Sequence, residues 1–193
     1  ISACLTDGQR NILLATRDGY AICFDENDAR PMGRDAMGVR GIKLREGDRV
    51  VGALPTVDGA QVLSITENGY GKRTAVSEYL RGGDEAGPQK RGGMGLKSYN
   101  VTDKTGYVSD MRMVLGSEDV LIVADDGTII RTNVAGISVL GRATQGVRIM
   151  RPNDGAKVIS AALTEAEEDD DDVPEQDNAE NAADEAVNTE DSE

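Results

Sequence analysis

Three segments of this chain repeat one another, and a repeat of this length constrains the fold before any single residue does. "ILLATRDGY" (12–20), "VLSITENGY" (62–70) and "VLIVADDGT" (120–128) align on Gly19, Gly69 and Gly127. A second anchor follows: "MGRDAMGVRGIKL" (32–44) matches "LGRATQGVRIMRP" (140–152) position by position. Placing "AGPQKRGGMGLKS" (86–98) in the same frame sets Gly38, Gly92 and Gly146 at intervals of 54 residues. Apolar stretches close the units, "RVVGAL" (49–54), "YVSDMRMV" (107–114) and "KVISAAL" (157–163).

Each unit reads as short β-strands. The apolar runs are brief, rich in Val and Ile, and bounded by Asp-Gly, Asn-Gly or Gly-Gly. The Gly of "RDGY", "ENGY" and "DDGT" supplies the positive φ that a tight hairpin turn requires. No sustained 3.6-residue apolar period points to helical repeats. The unit length, near the roughly 50-residue period of kelch blades, predicts an all-β, propeller-like array of four-stranded blades. The expected divisions are 1–11, the closing strand of a preceding blade; 12–59, 60–116 and 117–164, three complete blades; and 165–193, a tail. Three blades fall short of the roughly four to eight that close a propeller. With Ile1 in first place, the chain therefore reads as an arc of a larger body.

The net charge of −14 is an average over two unlike parts. Residues 165–193 hold 15 Asp or Glu and no Lys or Arg, leaving 20 acids against 21 bases in the remainder. The tail, including Glu167, Glu168, Asp169, Asp170, Asp171 and Asp172, is expected to be disordered, because like charge without apolar surface cannot offset ordering entropy. Its "DDDD" lacks the spacing of a calcium loop. With no His, a Ser-His-Asp triad, a Cys-His dyad and a His-ligated metal are excluded. Cys4 and Cys23 lack C-x-x-C spacing and read as small apolar strand residues in a reducing compartment. No catalytic residue and no metal site is assigned. No apolar run reaches transmembrane length.

The middle unit is the unusual one. From turn glycine to second anchor it spans 23 residues, against 19 in its neighbours. In this frame Lys90 and Arg91 stand where the others have Ala36-Met37 and Thr144-Gln145, and Lys72 and Arg73 follow its hairpin turn. The turn accounts for one glycine per unit; Gly93 and Gly95 beside the added Lys and Arg suit close approach of bare backbone to an anion such as phosphate. P-loop and dinucleotide-binding spacings are absent. Aromatic residues are five Tyr and one Phe. Single-strand binding by base stacking is therefore disfavoured against duplex binding through phosphates.

On these motifs the chain resembles a known family. "QKRGGMG" (89–95) is similar to the Gln-Arg-Arg-Gly-Gly-Lys-Gly box of the bacterial DNA gyrase A subunit. "ENGYGKRTAVSEY", "GVRGIKL" and "GRATQGVR" resemble blades of that protein's C-terminal domain. Met94 stands where the box has Lys, and this box lies in the middle of the three units. The family's box lies in its first blade, so this one reads as a secondary copy. The resemblance covers residues 1–164 and implies a β-pinwheel whose basic rim bends and wraps DNA. It further implies a type IIA topoisomerase that uses ATP to introduce negative supercoils, with the catalytic tyrosine, ATP and Mg on other domains. The implied partners are double-stranded DNA and, in a heterotetramer, the gyrase A core and gyrase B. The implied setting is the bacterial cytoplasm at the nucleoid, without membrane. The alternatives are the corresponding domain of topoisomerase IV and a propeller-type protein-interaction scaffold.

The candidate DNA contacts are Lys72, Arg73, Lys90, Arg91, Gly92, Gly93 and Lys97 of the middle unit. Their neighbours contribute Arg40, Lys43, Arg45, Arg131, Arg142, Arg148 and Arg151. Arg131 aligns with Arg73 and Arg148 with Arg40, placing them on one face. Arg142 aligns with Arg34, and both also fit a structural turn contact. The tail is expected to compete with DNA for these cations. Arg30 and Lys104 are expected to lie outside the contacts.

Overall fold

The computed structural model describes residues 3–81 and 87–167. In the first unit β1 (Asn11–Thr16) and β2 (Tyr20–Asp25) form a hairpin, and β3 (Val50–Pro55) pairs with the other side of β1. The second unit repeats this with β4 (Gln61–Thr66), β5 (Tyr70–Ala75) and β7 (Val108–Val114), and adds the short β6 (Leu96–Lys97). The third has β8 (Glu118–Ala124), β9 (Ile129–Asn133), the short β10 (Val147–Arg148) and β11 (Val158–Glu165). The predicted hairpin turns form: Gly19 and Gly69 have φ of 82° and 76°, and their N–H groups donate back to Thr16 and Thr66.

The fourth strands do not come from the units they complete. β6, of the second unit, pairs with β2 of the first; β10, of the third, pairs with β5 of the second. The sheets therefore run β3-β1-β2-β6, β7-β4-β5-β10 and, with three strands, β11-β8-β9. A two-residue strand has too little hydrogen bonding to hold its place alone, so a neighbouring sheet edge defines it. The consequence is that each unit is tied to the next by backbone.

Packing does the same. One apolar cluster joins Leu13, Ala15, Ala21 and Cys23 of the first unit to Val62, Tyr79, Tyr99, Val108 and Met111 of the second. Another joins Leu63, Ile65 and Val114 to Val120, Ile122, Val134 and Val158 of the third. The core thus lies between the sheets, which is the pinwheel arrangement expected. The only helical elements among the described residues are short 3-10 turns. None is long and apolar enough to cross a membrane.

Three local expectations change. Residues 3–10 form no strand. Cys23 is buried on β2, where burial pushes its thiol up to about 11, but Cys4 is exposed and outside any strand. At the other end β11 runs through Glu165, so the third sheet extends past Thr164.

Candidate nucleic-acid interface

The structure shifts the register of the middle unit. Ser98 and Tyr99 donate their N–H groups to Gly19 O (2.7 and 3.0 Å), as Ile149 and Met150 do to Gly69 O (2.9 and 3.0 Å). Gly95, not Gly92, is therefore the counterpart of Gly146. Both have positive φ, 71° and 69°, and a Cβ on either would lie 2.6 Å from a carbonyl of the preceding unit's sheet, Ala21 O or Gly71 O. The aligned segments are "GRDAMGVR" (33–40), "KRGGMGLK" (90–97) and "GRATQGVR" (141–148). From turn glycine to anchor the middle unit spans 26 residues, not 23.

This register sorts the cations into three groups. The first comprises Arg34, Arg91 and Arg142. Arg91 donates to Asp28 O (2.7 Å) and Arg40 O (2.9 Å). Arg142 pairs with Glu78, the counterpart of Asp28, at 3.6 Å and reaches Lys97 O, the counterpart of Arg40 O, at 3.5 Å. Arg91 and Arg142 are struts across successive junctions, and the contacts of Arg142 reach the preceding unit instead of closing a turn of its own. The second group is Arg40, Lys97 and Arg148, all exposed and each just past its anchor glycine. The third is Lys43 and Arg151, equivalent to each other and both exposed, with Asn100 at that place in the middle unit. Because each strut grips the carbonyl of a second-group residue, these cations follow one another from unit to unit along one edge.

Several candidates hold protein instead of facing solvent. Lys72 is fully buried. Its Nζ has four oxygens within reach of its three N–H groups, Ser98 O (2.9 Å), Gly141 O (2.7 Å), Arg142 O and Thr144 Oγ1 (3.1 Å), and lies 5.0 Å from the Tyr99 ring centre. Burial pushes its ammonium down to about 8, with Arg142 adding to the depression and Glu78 opposing it. It is an internal clamp and not a rim contact. Arg73 donates to Ile137 O (2.7 Å) and Ala135 O (2.9 Å). Gly92 spends its N–H on Gly41 O (2.6 Å), so that group does not face an anion. Gly93 is exposed, and its carbonyl accepts from Lys43 N at 2.8 Å.

Of the remaining cations, Lys90 projects into solvent with 84% of its side chain exposed, 3.2 Å from Asp28 Oδ1. Arg45 stacks on the Tyr20 ring at 3.2 Å. Arg148 lies 4.8 Å from the Tyr70 ring centre and donates to its hydroxyl. Lys104, expected to lie apart, sits over the same ring at 5.4 Å. It joins the edge by tertiary folding, for which the repeat gave no signal, since no aligned cation occupies its place. Arg131 pairs with Asp119 (2.8 Å) and with Glu167, and donates to Glu165 O (2.7 Å). The acidic tail thus begins against a residue aligned with Arg73. Hydrogen bonds from Arg131 and the Glu167 N–H hold the Asp119 carboxyl below the usual carboxylate range. Glu168 and Asp169 to Asp172 lie outside the described residues.

A family model described as "DNA gyrase C-terminal domain, beta-propeller" matches residues 10–56, 60–114 and 118–165. The DNA gyrase A subunit of Staphylococcus epidermidis is 45% identical over 172 residues, which is 88% of this chain and 18% of that protein. Its Staphylococcus aureus counterpart is 44% identical over 180 residues, 91% of this chain and 19% of that protein. The chain therefore spans less than a fifth of their length. Among solved structures, a DNA gyrase A C-terminal domain superposes with a TM-score of 0.73 at 28% identity, covering 82% of this chain and 52% of that one. A topoisomerase IV C-terminal domain gives 0.75 at 24% identity, covering 84% and 49%.

Proposed function

The chain belongs to the DNA gyrase C-terminal domain family, and on that premise we propose that its cationic edge binds and bends duplex DNA through the phosphates. The observation that carries this reading is the recurrence of Arg40, Lys97 and Arg148 at one exposed place in each unit. Lys43 and Arg151 recur beside them. A repeated cation on a curved array meets a repeated phosphate backbone without reading bases. Direct readout needs side chains placed in a groove by an inserted element, and this edge offers two-residue strands.

In the parent protein this module would hold DNA so that a type IIA topoisomerase introduces negative supercoils. Strand passage, ATP and Mg then belong to other domains, in an assembly of gyrase A cores with gyrase B in the bacterial cytoplasm. The alignment with gyrase A at 45% identity supports this assignment over topoisomerase IV, where the likeness is one of fold.

Titrating the chain into duplexes of equal length and different sequence, across a salt series, tests the reading. Affinity should vary little with sequence, and log K should fall by about 0.9 for each phosphate neutralised as log salt rises. A flat salt response would exclude phosphate binding.

The tail is the proposed competitor for this edge. Its first contact is Glu167 with Arg131, and a tethered polyanion acts at high local concentration. Deleting residues 168–193, which leaves β11 intact, should tighten duplex binding most at low salt. The gain should shrink as the Debye length falls toward about 3 Å at 1 M. Equal affinities of the two chains at low salt would show that the tail leaves the edge alone.

A further inference from the structure

At each junction between units, the tyrosine that opens a second strand gathers two cations. Tyr20, the first residue of β2, lies opposite Lys97 of β6, so the two side chains rise from one face of the sheet. Arg45, from the loop before β3, lies 3.2 Å from the Tyr20 ring centre. Tyr70, the first residue of β5, lies opposite Arg148 of β10 in the same way. The Arg148 guanidinium is 4.8 Å from the ring centre and donates to the hydroxyl at 2.6 Å. Lys104, from the loop before β7, lies 5.4 Å from that centre. In both places one cation belongs to the tyrosine's own unit and the other to the next unit. Both places lie inside this chain, with a unit on either side.

Each ring holds one arginine and one lysine, but the sources are exchanged. The own-unit cation is Arg45 at the first junction and Lys104 at the second; the cation from the next unit is Lys97 and then Arg148. The pairing of charge types persists although the positions that supply it do not. None of the four forms a salt bridge among the described residues, whereas the strut Arg142 has Glu78. Two like charges brought together without an acid repel one another. The ring face offsets part of that cost, and an anion between the charges removes more of it.

We propose that each ring seats a phosphate of the bound duplex, gripped from both sides of a junction: by Arg45 and Lys97 at Tyr20, and by Lys104 and Arg148 at Tyr70. This rests on the phosphate reading of the edge and extends it, because DNA held this way ties each unit to the next. The guanidinium can take phosphate oxygens in a two-pronged grip, and the ammonium adds a point charge. Tyr70 is 6% exposed, so its ring is not free to stack on a base; it holds the cations in place before the anion arrives. Such preorganisation lowers the ordering cost of binding.

Duplex titration across a salt series tests this. Lys104→Gln and Arg45→Gln should each lower the slope of log K on log salt by about 0.9, the loss of one phosphate contact. Arg30→Gln removes an exposed cation that neither ring carries and should leave the slope as it is. Tyr20→Leu changes no charge, yet should weaken binding, because Arg45 loses the ring that holds it beside Lys97. Combining Lys104→Gln with Arg148→Gln should depart from the product of the single effects by more than about twofold, since both cations serve one phosphate. Combining Lys104→Gln with Arg45→Gln, at separate junctions, should match the product. Lys104→Gln and Arg45→Gln behaving like Arg30→Gln, Tyr20→Leu without effect, or both combinations matching the product would each overturn the paired seats and leave the phosphate reading standing. A flat salt response of the parent would remove both.

Discussion

Replacing Arg40, Lys97 and Arg148 together by Glu is expected to reduce duplex affinity about 100-fold at moderate salt. It should also lower the salt dependence of log K by about 2.7, from roughly 0.9 for each of three phosphate contacts. The three residues occupy one place in successive units and are exposed. Arg148 also donates to the Tyr70 hydroxyl, so the melting temperature should fall slightly, by less than in a variant that breaks the junctions. Arg91→Ala with Arg142→Ala should behave oppositely. Those guanidiniums grip Asp28 O, Arg40 O and Glu78 across the junctions. Removing them should lower stability while altering the salt slope little. Duplex titration and thermal melting of both variants separate the roles. A triple variant that keeps the parent's salt slope would place the DNA elsewhere.

That contrast also shows what is legible in the sequence. The repeat, the hairpin turns and the all-β architecture are readable because positive-φ glycines recur between short apolar runs rich in Val, Ile and Leu. The middle anchor lies three residues beyond its expected place because the box offers Gly92, Gly93 and Gly95. Only one of them presses against Ala21 O, and that pressure is tertiary. Aligning on Gly92 makes Arg91 look like an added cation, when it is the strut that Arg142 repeats. The exchange of fourth strands is not legible, since a two-residue strand carries no record of the sheet it joins. Lys72 is different. Its aligned positions are Ile22 and Ile130, so the repeat itself marks an apolar place holding an ammonium. Charge alone suggests exposure there, and the repeat pattern contradicts it.

Lys72→Ala is accordingly expected to cost about 3 kcal/mol of stability, since it opens a cavity and strips buried carbonyls of their donor. Ser98 O, Gly141 O and Arg142 O all accept from Nζ, and the last two belong to the third unit, so the loss should fall on the junction between the second and third sheets. Lys72→Met keeps most of the volume and removes the buried charge, and should cost less. The pH dependence has a definite sign. Burial lowers the Lys72 pKa from 10.5 to about 8 in the folded chain. Between those values the unfolded chain binds a proton that the folded chain does not, so stability rises with pH across that window and is flat below it. The full shift corresponds to about 3 kcal/mol, an upper bound because the accepting carbonyls favour the ammonium. Contributions common to both chains cancel in the difference between the parent and Lys72→Met, which is the quantity to follow. Urea midpoints of both chains from pH 7 to pH 10.5 provide it. The parent should gain on the variant above pH 8. A difference that stays constant across that range would show that Lys72 is no more desolvated in the folded chain than in the unfolded one.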